Sequence, residues 1–167
     1  GGSRGIGKAV SLKLANDGIH VIINYRSNDV EAHKTLDIIK ENGGSGELLK
    51  FDASNRGEVR KVIDGWKAAN PEKFIEILVN NAGIRKDNLL MSMEDEEWDS
   101  VIDTNLNSFF SVTSSVIKEM MYNKSGRIVN IASLSGIKGL PGQTNYSASK
   151  AGMIGATKAL AQEVGRR

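Results

Sequence analysis

The sequence predicts an α/β fold, a Rossmann-type doubly wound parallel sheet. Three observations carry that expectation. Short β-rich apolar runs alternate with helix-patterned stretches along the whole chain, as a parallel sheet flanked by helices requires. A loop with glycines at 1, 5 and 7 opens the chain and runs straight into a helical pattern. Polar or glycine-bearing residues follow the strand-like runs, on the edge where open α/β sheets hold ligands.

The elements follow in order. Residues 8–17 read as a helix on Val10, Leu12, Leu14 and Ala15, ended by Gly18. Residues 20–24 are a buried parallel strand in appearance. A second helix is expected over 29–42, closed by Gly43 and Gly44, and a third strand-like run over 47–51 ends at Asp52, the first being the strand that ought to precede the loop. Asn55 can cap a helix reaching Ala69, with Val59, Val62, Ile63 and Trp66 inward. Pro71 breaks it, and residues 74–79 form another strand. One long helix is expected from 94 to 121, then a strand over 127–132 and a last helix over 145–164. The glycine loop is a strand-to-helix turn with no strand ahead of it, and no strand follows Arg167. The chain therefore reads as a single domain over residues 1–167, missing its first strand and its C-terminal strands, because an open mid-sheet slot would leave strand edges unpaired.

The 167 residues suffice for one domain with a sizeable core. A net charge of +2, without basic runs interleaved with aromatics, argues against a nucleic-acid partner. No apolar run reaches membrane-spanning length, so no membrane partner is expected. There are no cysteines, and His20 and His33 lack ligand-spaced companions, so no metal site is expected. The reading of location is cytoplasmic, with an organelle left open because the chain does not begin with methionine.

The loop residues Gly1, Ser3, Arg4, Gly5, Ile6 and Gly7 suit a pyrophosphate, whose charge a helix N-terminus favours. A tight turn without a ligand is the plainer alternative. The ribose-reading position falls about twenty residues on. There Arg26 follows the strand instead of an acid, which with Arg4 favours the 2′-phosphate of NADP(H), although Asp29 is close. Asp52 could accept from an adenine amino group, and Asn80, Asn81, Ala82 and Gly83 suit a flat ring or ribose. Each of these segments could equally be a cap or a turn. Their agreement on one dinucleotide is the stronger observation.

Tyr146 and Lys150 stand one helical turn apart among small residues, and Ser133 ends the strand before them. A phenol with an ordinary pKa of about 10 is a poor acid or base at neutral pH. A nearby ammonium favours the phenolate by charge attraction, while a serine hydroxyl can donate to a carbonyl oxygen. An unremarkable pair on a solvated helix is the alternative for an isolated match.

With the glycine loop, the Asn80–Gly83 turn, Ser133, Tyr146 and Lys150 together, the chain resembles the classical short-chain dehydrogenase/reductase family over essentially its whole length. Within it the stretches 83–106 and 142–163 are most similar to the 3-oxoacyl-acyl-carrier-protein reductases. The resemblance implies hydride transfer between NADP(H) and a carbonyl or alcohol. It implies Tyr146 as acid/base, Ser133 as carbonyl-orienting donor, and Lys150 as the residue that binds ribose and tunes the tyrosine. It implies Asn105 as holder of a water in the proton relay, and a homotetramer paired through the long helix. An acyl carrier protein is the expected partner, docked on basic residues among Lys118, Lys124, Arg127, Arg166 and Arg167, with Lys124 and Arg167 preferred. Two other readings stand beside it: a relative acting on a sugar, polyol or small ketone, and a dinucleotide-binding sensor without turnover.

Overall fold

The computed structural model describes residues 1–165, and its elements alternate as the sequence pattern requires. Helix α1 (Gly5–Asn16) leads to β1 (Val21–Tyr25), α2 (Asp29–Glu41) and β2 (Gly46–Lys50). Then come α3 (Arg56–Ala69), β3 (Ile77–Asn80), a 3₁₀ turn (Leu90–Ser92) and α4 (Asp95–Ile102). After a π-helical segment (Asp103–Asn107) follow α5 (Ser108–Tyr122), β4 (Arg127–Asn130), the short α6 (Ser135–Lys138) and α7 (Thr144–Val164).

Local chemistry sets most boundaries. Asn28 and Asn55 accept first-turn amides at the heads of α2 and α3, and Glu94 and Glu97 form a capping box on α4. Gly18 and Gly43, at φ +83° and +77°, take the left-handed conformation just past α1 and α2.

The strands pair in parallel, β1 with β2 and β3 with β4, in two separate two-stranded sheets. Two apolar clusters hold the layers. Ala15, Val21, Ile23, Leu36 and Ile39 pack α1 and α2 on the first sheet. Phe51, Val59, Ile63, Leu78, Val116 and Met120 join α3 and α5 to the second. Between the sheets lies a cavity of about 670 Å³, bordered by Val21, Ile22 and Asn24 of β1 and by Leu78 and Val79 of β3. Gly2 N–H donates to Asn24 O at 2.9 Å, so the glycine loop is tied to the carboxyl end of β1. No helix among the described residues is long and apolar enough to cross a membrane.

The expected long helix over 94–121 is corrected. It is two α-helices joined by the π segment at 103–107, and that extra widening turns Asn105 fully inward. The sequence reading also left out α6 and the 90–92 turn, which a bridge between Asn88 and Gln143 ties to the head of α7.

Candidate active site

The glycine loop, the segments that follow β1, β2, β3 and β4, and the head of α7 build the site. At the glycine loop, Gly5 takes φ +51° with open space around it. A Cβ on Gly7 would lie 1.9 Å from Gly1 O and 2.7 Å from Asn81 Nδ2, so only glycine lets the loop close. The first turn of α1 has no acidic residue and no side-chain cap, leaving its amides for an anion. Ser3 is buried, its carbonyl accepting from Thr35, whereas Arg4 and Ile6 are exposed at the rim. These residues fit a dinucleotide's pyrophosphate: a backbone cradle, no Cβ in the way, and a cation beside it.

At the ends of β1 and β2, Arg26 Nη1 lies 3.7 Å from Asp52 Oδ2, and Asp52 Oδ1 accepts from Ser54 N–H and Oγ–H at 2.9 and 2.7 Å. Asp29 is engaged elsewhere. Lys50 Nζ donates to both of its oxygens at 2.9 Å, and Tyr25 O–H donates to Oδ1 at 2.9 Å. The Lys50 and Tyr25 bonds hold the Asp29 carboxyl below its usual pKa.

After β3, the four residues divide their work. Asn80 is buried and donates to Thr113 Oγ1 and Asn130 Oδ1, tying β3 to α5 and β4. Asn81 Nδ2 donates to Gly1 O at 2.8 Å, which joins this turn to the glycine loop. Ala82 packs against Gly1, where a Cβ would meet its backbone at 3.0 Å. A Cβ on Gly83 would approach Asn105 Oδ1 to 3.2 Å and Lys150 Nζ to 3.7 Å.

Lys150 is the centre of charge. It is 3% exposed, its Nζ donates to Ile131 O at 2.6 Å, and it stands 5.8 Å from the Tyr146 ring centroid. Burial pushes its ammonium pKa down. Ser133 is half-buried after β4, its Oγ accepting from Ser135 N–H at 3.2 Å at the start of α6. Asn105 accepts from Ile84 N–H at 2.8 Å and donates to Ile84 O and Ser149 Oγ at 3.0 and 3.1 Å. Its amide is thus bound at both ends by the protein itself.

The sequence reading assigned nothing to Asn145, Ser149 or Gln143, yet all three are buried beside Tyr146. Asn145 binds Lys86 O, Glu97 O and Tyr146 N–H, and Ser149 Oγ–H donates to Tyr146 O. Gln143 accepts from Ser135 and donates to Asp87. A signal was present: amide and hydroxyl side chains crowd the first turns of a helix where poor helix formers need another reason to stand. Of the expected basic residues, Lys118, Lys124 and Arg127 are exposed, while Arg166 and Arg167 lie outside the described residues. Among those described, no three His, Cys, Asp or Glu gather as a metal ion would need.

The family profile described as short chain dehydrogenase matches residues 1–167. The chain is 46% identical over 169 residues to a 3-oxoacyl-[acyl-carrier-protein] reductase of Synechocystis, covering all of this chain and 67% of that protein. It is 41% identical to the reductase FabG of Staphylococcus epidermidis and 43% to that of Chlamydia muridarum, again over the whole chain and covering 68% and 66% of those proteins. The chain belongs to the short-chain dehydrogenase family, and is an oxidoreductase of the C=O/CH–OH couple that works with a nicotinamide dinucleotide.

Proposed function

We propose that the protein reduces the 3-oxo group of an acyl thioester carried on an acyl carrier protein, with NADPH as reductant and Tyr146 as the acid. The observation that carries this reading is the convergence of Lys150, Tyr146 and Gly83 on one edge with the glycine loop, in a chain 46% identical to a reductase so named. When bound, the reduced dinucleotide supplies the hydride that reaches the carbonyl carbon. Arg4 and the loop amides hold its pyrophosphate, and Gly83 leaves room beside Lys150 for its ribose. Arg26 meets the 2′-phosphate, a preference supported by Asp29, whose carboxylate is tied to Lys50 and Tyr25 and so is poorly free to accept from a ribose hydroxyl.

The chain's own residues handle the proton. The Ser133 hydroxyl donates to the substrate carbonyl oxygen and orients it. As charge builds on that oxygen, the Tyr146 hydroxyl gives up its proton to it, and solvent later restores the phenol. The Lys150 cation stabilises the negative charge left behind, in a buried setting where attraction is strong. Asn105 contributes by holding Ile84 and Ser149 in place, and the relay water assigned to it belongs to this same proposal. A homotetramer is part of the proposal too, supported by Phe110 of α5, which is half exposed.

The test is loss of nicotinamide absorbance on mixing the protein with NADPH or NADH and a carrier-bound 3-oxoacyl thioester, a sugar or a simple ketone. Turnover is expected fastest with NADPH and the thioester. Tyr146→Phe should lower it by roughly 10²–10⁴-fold with cofactor affinity little changed. Preference for NADH, for the sugar, or near-native turnover in the phenylalanine variant would each remove the corresponding part of the reading.

A further inference from the structure

We propose that Asn145 is a positioning residue, fixing the head of α7 and so the Tyr146 hydroxyl against the segment that follows the Asn80–Gly83 turn. The inference rests on the acid role proposed for Tyr146. The first turn of α7 needs outside help. Its N-cap, Gln143, makes no capping bond, because its side chain is spent on Ser135 and Asp87, and the first turn carries no acid. The amide of Tyr146 is one of the donors that a helix start leaves without an intrahelical acceptor. Asn145 Oδ1 accepts it at 2.7 Å. The same side chain turns its two N–H bonds outward from α7, to Lys86 O at 3.0 Å and Glu97 O at 3.1 Å.

Asn145 is 0% exposed, so an amide side chain is kept in a dry place and every polar bond it can make there counts. Three pieces of chain meet on it: α7, the loop after β3, and α4. Ser149 completes the hold from the other side, donating to Tyr146 O at 2.7 Å while accepting from Asn105. Both backbone polar groups of Tyr146 are therefore held by buried side chains. Simple packing would need neither the Asn145 amide nor the Ser149 hydroxyl; apolar residues would fill the space. The Asn145 bonds instead transmit the position of the loop beside Gly83 to the residue that carries the proton, keeping the phenol over Lys150.

The experiment measures turnover against pH and cofactor affinity in the native protein, in Asn145→Ala and in Tyr146→Phe. In Asn145→Ala the pH–rate profile should move and turnover at saturation should fall roughly 10–100-fold, the loss that small misplacement of a catalytic group causes. Cofactor affinity should stay within about two-fold, since no dinucleotide-binding group is removed. Asn145→Ser, which keeps an acceptor for the Tyr146 amide but cannot bridge both carbonyls, should fall between the two, and it decides the matter alone if the alanine variant does not fold. Turnover and a pH profile that superimpose on the native curves, with only heat stability reduced, would overturn the proposal and leave Asn145 a packing residue. Full turnover in Tyr146→Phe would instead defeat the acid role, whatever Asn145 does.

Discussion

Lys150 shows how a single side chain trades stability for reactivity. Its ammonium is carried to 3% exposure and is given one backbone carbonyl, Ile131 O. Desolvation is the cause of its lowered pKa, from an ordinary value of 10.5. The sign of the pH dependence follows. Between the depressed folded value and 10.5 the unfolded chain binds a proton that the folded chain releases, so this residue's contribution to stability rises with pH across that window. Below the window both states are charged and the full cost of burying the cation applies. Comparing the native protein with Lys150→Met by thermal melts should therefore show the native gaining relative to the variant as pH climbs towards 10.5. A difference that stays constant with pH would mean the ammonium is not desolvated. Turnover of the methionine variant should be lost at every pH, because no cation then stands beside Tyr146. The pair Tyr146 and Lys150 was legible in the sequence because helical spacing alone brings residues four apart onto one face. The partners of Asn145 were not, because two of its three bonds reach Lys86 and Glu97, which only the fold brings near.

At the scale of the element, the contact of α6 with α7 governs how Ser133 stands to Tyr146. Gly136 makes the approach possible: a Cβ there would meet Ala151 N and the Lys150 carbonyl carbon at 2.8 Å, both backbone atoms that cannot swing aside. Gly136→Ala should push α6 off α7, at a cost of about 1–3 kcal/mol for overpacking. Because Ser133 Oγ is tied to the Ser135 amide at the head of α6, turnover should drop by at least roughly 10-fold. Denaturant unfolding and saturation kinetics check both halves, and native turnover would show that Ser133 does not depend on α6. The short α6 was hidden from sequence reading since Ser-Gly-Ile-Lys has neither period nor length. The long apolar stripe from Trp98 to Met120 was legible as helix, but its π interruption was not. A widened turn shifts the face by one residue without altering the apolar pattern enough to see, and Asn105 at its centre was the visible clue. Asn55 was readable as a cap because it acts within three residues of itself, on Gly57 and Glu58.

Across the whole molecule, alternation of strand and helix was enough to give parallel pairing, but not the order of neighbours, which depends on contacts between distant segments. The pairs β1–β2 and β3–β4, with the apolar cavity between them, are properties of assembly. Surface charge is likewise a property of the whole. A net charge of +2 gives little long-range attraction, so an acidic carrier protein must be drawn by local cations. Lys124 is the best placed of those described: it is exposed in the turn between α5 and β4, on a backbone held at φ +52° with Lys118 and Arg127 exposed nearby in sequence. The turn geometry is indifferent to which long charged residue occupies it, so Lys124→Glu reverses charge with little expected change in fold. If the carrier docks there, KM for the carrier-bound thioester should rise roughly 3–10-fold at low salt, mainly through slower association, and the difference should shrink as salt is added. A small thioester without the carrier should be reduced at the native rate. Equal losses on both substrates would indicate damage to the fold, and an unchanged KM on both would place the carrier on another face.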